Sequence, residues 1–283
     1  MQLSGFDTHS PISLLGTCYQ LERSGYYRLW TTEHHEIDRS ASPLVAAAAA
    51  AARTSTLKIG TAGVLLRLHP IVSIVEQAEL LWTLFPGRFE LGVAGGIAPI
   101  ETGDKAQHQL HPSGDDFSTK VGLLLEFIKE RQATRHNLYG HTTLWLCAMR
   151  RSAATFASRI AAGLIFHDGL ARTRDIQHAD RISVTRAYLD NWSSAGHPRV
   201  TVACFGACAR TYQEAKRSWN AGYPAHAIEP AFMGTGKDCI EQLNILAEAY
   251  GAFEMAVDCF GPTPDDRLDS FKLLGAASTR HCD

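Results

Sequence analysis

Eight apolar, β-rich runs, each followed by a stretch of helical spacing, limit what this chain can fold into more than any other feature. The runs are Leu3 to Phe6, Tyr26 to Thr31, Leu57 to Leu66, Arg88 to Val93, Thr142 to Cys147, Leu164 to Phe166, Val200 to Phe205 and Phe253 to Cys259. Runs this apolar suit strands covered on both faces, and their alternation with helices implies a parallel sheet with right-handed crossovers. Eight such units in 283 residues lie only slightly above the ~250 typical of a (β/α)8 barrel, so the sheet is expected to close on itself. With 45% hydrophobic residues the chain can fill one large core, and no stretch reads as a linker. The expectation is one α/β domain, a TIM barrel spanning residues 1–283.

The helical stretches carry their own punctuation. Ser10-Pro11 opens one to Arg23, as N-cap and first helical residue. Pro43 to Ala52 contains seven consecutive alanines, which favour helix and let it lie close to a neighbour. Ile71 to Phe85, Asp115 to Arg131, Ser152 to Ala162 with Ser152 placed to cap, a helix from Gln177 to about Ala195, Thr211 to Asn220, Lys237 to Tyr250 and Pro264 to Ala276 complete the set. Ile97 to Pro112, His167 to Gln177 and Gly222 to Gly234 read as loops.

Charge and cysteine usage exclude several classes. A net charge of −2, from 27 basic and 29 acidic side chains, gives no electrostatic footprint for nucleic acid or an anionic membrane. No run approaches the roughly 18 apolar residues that cross a bilayer, and MQLSGFDTHSPI lacks the form of a signal peptide. Seven cysteines without a CxxC pair suggest neither a disulfide framework nor zinc, and a cytoplasmic protein with reduced thiols is expected.

In such a barrel the chemistry belongs at the carboxyl ends of the strands. Those ends offer Glu33-His34-His35, Ala62-Gly63, Ala94-Gly95-Gly96, Ala148-Met149-Arg150-Arg151, His167-Asp168, Phe205 and Asp258. An acid and two imidazoles after a buried strand are costly unless something uses them. Adjacent ligands on one strand end rarely point at one ion, so no metal is expected. The Ala and Gly ends leave flat space. Arg150, Arg151 and Ser152, at a helix start, suit a phosphate.

Through GYYRLWTTEHH, SPLVAAAAAAARTSTLKIGTAGVLL, HPIVSIVEQAELLWTLFPGRFELGVAGG and, more loosely, LWLC and GTGKDCIEQLNILAEAYGAFEMAV, the chain resembles the bacterial-luciferase-like flavin-dependent monooxygenases. The likeness is dense from Leu3 to Gly96, and greatest to the short single-chain members associated with natural-product pathways. It implies a barrel that takes FMNH2 from a separate flavin reductase and reacts it with O2. A C4a-peroxyflavin then oxidises a small or medium organic substrate. By position, His34 matches the family's catalytic histidine, Glu33 the acid lining the flavin site, and His35 a supporting residue. Ala62-Gly63 matches the place of a non-proline cis peptide against the isoalloxazine. Many relatives carry a phosphate-binding arginine after the fourth strand, where this chain has Ala94-Gly95-Gly96. Either Arg150 and Arg151 take the phosphate, or flavin affinity is low, or the site has changed use. A deazaflavin-dependent oxidoreductase and a non-catalytic flavin-binding or partner subunit are the alternatives on the same fold. A homodimer is expected, since relatives pair through helices near the second and third strands.

Overall fold

In a computed structural model, the structure describes residues 1–7, 11–35, 40–95, 116–134, 144–173, 176–222 and 229–279. Ser10, Gly96, the segment from Ile97 to Pro112 and most of the loop between Gly222 and Gly234 lie outside the described residues. The elements are β1 (Gln2–Asp7), α1 (Pro11–Arg23), β2 (Arg28–Thr31), α2 (Pro43–Arg53), β3 (Lys58–Thr61), β4 (Val64–Leu65), α3 (Ile71–Leu84), β5 (Phe89–Ala94), α4 (Phe117–Thr134), β6 (Leu144–Cys147) and α5 (Arg151–Arg159). There follow β7 (Gly163–His167), α6 (Asp168–Thr173), α7 (His178–Asp190), β8 (Val200–Cys208), α8 (Tyr212–Gly222), β9 (Phe232–Gly234), α9 (Gly236–Tyr250), β10 (Glu254–Cys259) and α10 (Pro264–Thr279).

The strands pair in the order β1-β2-β3-β5-β6-β7-β8, and β10 joins both β8 and β1, so eight parallel strands close a barrel. The short β4 and β9 are additions at its carboxyl end, on β5 and β8. Closure leaves none of the eight as an unpaired edge.

Alternation along each strand sorts side chains into two layers. Leu3, Leu29, Ile59, Leu91, Leu146, Leu164, Val202 and Val257 pack outward under the helices. The small Ala47, Ala50 and Ala51 bring α2 close down on them. Phe6, Trp30, Trp145, Ile165, Ala203 and Ala256 point into the barrel. Trp30 and Trp145 meet edge to face at 5.2 Å. They fit because Gly60 and Gly163 stand on neighbouring strands, where a Cβ would come within 2.3 Å of each ring.

Below the tryptophans the amino end of the barrel is filled by charge. Arg28, 1% exposed, pairs with Glu90 at 3.1 Å and Glu254 at 3.7 Å. Its guanidinium lies 4.4 Å from the Trp30 ring and 5.1 Å from that of Trp145. The indole of Trp30 donates to Glu254 at 2.8 Å, that of Trp145 donates to Glu90, and Thr201 donates to Glu254 at 3.2 Å. Ions taken out of water need partners of this number to be tolerable. The three charges thus meet one another, although Nε and Nη1 of Arg28 make no hydrogen bond among the described residues.

Several expectations need adjusting. Leu57 to Leu66 is not one strand but β3 and β4, separated at Ala62-Gly63. There the ladder is replaced by the Thr61 hydroxyl, which donates to Gly92 O at 2.7 Å and accepts from Gly92 N at 2.8 Å. Gly92 must lack a side chain, since a Cβ would sit 1.9 Å from Thr61 O. The polar segment after β7 holds α6, a single short helix without the periodicity that would announce it. Arg150, in extended conformation, is the N-cap residue of α5, and no side chain caps it; Ser152 lies inside the helix instead. By contrast Thr235 and Asp238 form a reciprocal capping box on α9, and Gly251 ends it with a left-handed turn. No helix among the described residues is long and apolar enough to cross a membrane.

Candidate functional site

The chain leaves β2 through Thr32 and Glu33, 2% and 5% exposed. One carboxylate oxygen of Glu33 lies 2.8 Å from Nε2 of His35 and 2.8 Å from Nε2 of His69. The other accepts the Leu65 backbone N–H at 2.9 Å. A buried carboxylate is stable only with such partners. Glu33 thereby ties the end of β2 to β4 and to the residues just before α3. His69 is held above its usual pKa by the Glu33 hydrogen bond, against burial and the nearby Lys120 ammonium. Lys120, 7% exposed, donates to Leu66 O at 2.8 Å.

His69 and Lys120 were not singled out from the sequence. His69 reads as the residue before a helix, and only its pairing with a proline marked it at all. Lys120 stands in the first turn of α4, where a lysine signals nothing.

His34 is half-buried, and its backbone N–H donates to Ser40 O at 2.8 Å. Its side chain is near enough to His167, at the end of β7, to oppose a positive charge there. The two imidazoles thus reach the mouth from different strands, β2 and β7.

Between them the mouth is unequal. On the β3, β5 and β6 side, the inward residues at strand ends are Ala62, Ala94 and Cys147, small and half-buried, with Gly95 beside them. The Ala62–Gly63 peptide bond is cis. Burial pushes the Cys147 thiol up to about 12, so it is no thiolate nucleophile near neutrality. Met149, half-buried, follows on β6's exit. On the β1, β7, β8 and β10 side stand aromatic rings. His167 meets Phe6 and Phe205 edge to face, each at 5.0 Å. Phe205 meets Phe260 at 5.3 Å, and Phe260 meets Trp219 of α8 at 5.5 Å.

The remaining candidates divide. Arg150, Arg151 and Ser152 are exposed. Arg151 and Ser152 line an outer groove between α5 and α7, shared with Thr155, Ser183, Arg186 and Asn191. Arg150 is one residue nearer the end of β6. Asp168 is fully buried and accepts from Arg181, Arg172 and Tyr250, each at 2.5 Å. Asp258 pairs with Arg267 at 3.1 Å. Both carboxylates brace helices against the barrel. Among the described residues no His, Cys, Asp and Glu group is arranged to hold a metal ion.

This arrangement can seat a flat ring over a small-residue floor, beside an acid-oriented pair of histidines and opposite an aromatic wall. The family model for luciferase-like monooxygenases matches residues 10–133. A luciferase-like monooxygenase of Escherichia coli K12 is 33% identical over 155 residues, which span 51% of this chain and 46% of that one. The crystal structure of apo-MsnO8 superposes with a TM-score of 0.81, at 22% identity over 98% of this chain and 97% of that one. The oxygenating constituent of 3,6-diketocamphane monooxygenase from Pseudomonas putida, in complex with FMN, gives 0.74 at 15% identity, covering 97% and 96%. An F420-dependent secondary alcohol dehydrogenase gives 0.70 at 15%, covering 98% of each. At these identities the structural likenesses speak for the fold alone.

Proposed function

We propose, from the match of residues 10–133 to luciferase-like monooxygenases and the 33% identity over 155 residues to one of them, that this chain is the oxygenating component of a two-component system. It takes FMNH2 from a separate reductase and uses O2 to oxidise a small or medium organic substrate. The observation that carries this reading is the juxtaposition at one barrel mouth of the Glu33 cluster with the small floor of Ala62, Ala94 and Cys147.

The residues present fit a flavin. The floor at Ala62, Ala94 and Gly95 has no side chain larger than methyl, which suits an isoalloxazine laid flat. When bound, reduced flavin supplies the reaction with O2; the protein's share is to bind, orient and exclude water. Glu33 holds the Leu65 N–H and so fixes the turn that presents Ala62 and Gly63. His34 brings an imidazole, a group able to accept or return a proton near neutrality, to the mouth. For the flavin phosphate, the candidate cations are Arg150 at the start of α5 and Lys120 in α4, whose ammonium reaches Leu66 O just past β4.

The test is anaerobic titration of the protein with FMNH2, then rapid mixing with aerated buffer. Saturable binding and a transient absorbance change, lost in His34→Ala while the circular dichroism spectrum is kept, are expected. Failure to bind FMNH2, or tighter binding of reduced deazaflavin coenzyme, sinks the proposal. An unaltered transient in His34→Ala removes the role of that imidazole.

A further inference from the structure

The aromatic half of the mouth contains one polar group whose orientation the fold dictates. His167 ends β7, and Nδ1 of its ring accepts the Leu170 backbone N–H at 2.9 Å. An imidazole that accepts at Nδ1 carries its proton at Nε2. Phe6 and Phe205 hold the ring from either side at 5.0 Å. Phe205 itself can lie there only because residue 169 is glycine, where a Cβ would come within 2.6 Å of its ring. The wall is therefore a built surface. Phe6 is 2% exposed and belongs to the packed interior, whereas His167 and Phe205 keep partial exposure at the carboxyl end. Among the described residues no hydrogen-bond acceptor meets the Nε2–H of His167.

We infer that this wall is the substrate side of the mouth and that His167 selects the substrate: an apolar ring compound whose carbonyl oxygen accepts the Nε2–H. The inference rests on the mouth being the reaction chamber proposed above. The ring is an uncharged donor. Burial, and then His34 across the mouth, push its pKa down to about 4, while Asp168 and Asp258 pull the other way. Asp168 is engaged by Arg172, Arg181 and Tyr250, and Asp258 by Arg267. A carboxylate or phosphate would be matched by a cation. A neutral N–H in an aromatic wall matches a neutral acceptor on an apolar body, and it rejects the analogue that leaves the donor unpaired. His167 is thus a specificity-determining residue, with Phe205 and Phe260 receiving the rings.

The experiment uses two probes of one shape, 2-acetylnaphthalene and 2-ethylnaphthalene, bound to the full chain and followed by fluorescence. The wild type is expected to prefer the ketone by on the order of tenfold. His167→Phe, which keeps the packing, should bind both alike. His167→Gln, which restores an N–H, should recover part of the preference. Nitrogen NMR of the histidines should show His167 as the Nε2–H tautomer through neutral pH. Equal binding of the two probes by the wild type, no binding of either, or a preference that survives in His167→Phe overturns the inference. FMNH2 titration of the same proteins keeps the two readings apart. Ketone selection without flavin binding would fault the monooxygenase reading alone, and flavin binding without ketone selection would fault this one alone.

Discussion

The two ends of the barrel interior bury ionisable groups in opposite ways. At the amino end Arg28, Glu90 and Glu254 sit within reach of one another, and two indoles and a threonine donate to the two carboxylates. At the carboxyl end Glu33 is equally buried but its partners, His35 and His69, have side chains 29% and 36% exposed. His34 and His167 are likewise only half-buried. Trp30 and Trp145 lie between the two ends and separate them. Charge enclosed among its counter-charges is merely tolerated in the interior; charge with an open edge can meet a ligand. The fold keeps the first kind where no loops reach and the second where the strands hand over to the loops.

That contrast can be broken most severely from below. Arg28→Met strands two carboxylates in the interior and should lower stability by about 3–5 kcal/mol, read from urea unfolding. The FMNH2 affinity of the molecules still folded should hardly change. A small loss of stability would mean that the plug is slack.

Glu33→Gln addresses the other end. It keeps the shape but weakens the hold on His35, His69 and Leu65 N–H. Oxygenation should fall about 10–100-fold, equivalent to ~1.4–2.7 kcal/mol in the barrier, with less than ~1.5 kcal/mol lost in folding. If folding suffers more than turnover, the two ends are not as different as drawn.

The smallest effect is in the pH dependence of stability. His167 is depressed to about 4 in the folded state, so between its unfolded value near ~6.5 and that pH the unfolded chain binds more protons. Stability should therefore fall on acidification through this window, by about 1–2 kcal/mol after allowing for partial exposure. His69 is raised, so its contribution is complete below ~6.5 and fades as pH climbs through its folded value. Denaturation midpoints of the wild type and His167→Phe across this range should differ only on the acid side. Parallel curves would contradict the assignment.

How much of this was legible depended on whether the signal was local. The inward and outward layers follow from alternation, so LWLC already places Trp145 and Cys147 on one face. The capping box of α9 could be read from Thr235 and Asp238. Glu33, His34 and His35 stood out because charge follows an apolar run. The plug used the same signal in plain view: Arg28, Glu90 and Glu254 each interrupt an apolar parallel strand near its start. No single strand reveals that its charge meets the others, because the partners are 62 and 224–226 residues away in sequence. His69 was missed for the same reason, its partner Glu33 being 36 residues distant. The break between β3 and β4 depends on a close approach of Thr61 to Gly92, which no run of apolar letters encodes.

The pairing of β1 with β10, in which Gln2 lies beside Glu254 and Gly5 beside Val257, governs how the chain must reach its structure. Those partners are about 250 residues apart, so the ring cannot shut until nearly all of the sequence is in play. Any earlier arrangement leaves two bare strand edges able to recruit another copy. Such distant pairing makes for slow folding, since the loop-closure entropy falls due before the closing contacts form. A variant that slows the docking of β10 would therefore show itself first as poor yield and aggregation at high expression. The enzyme that does complete the ring would be unchanged.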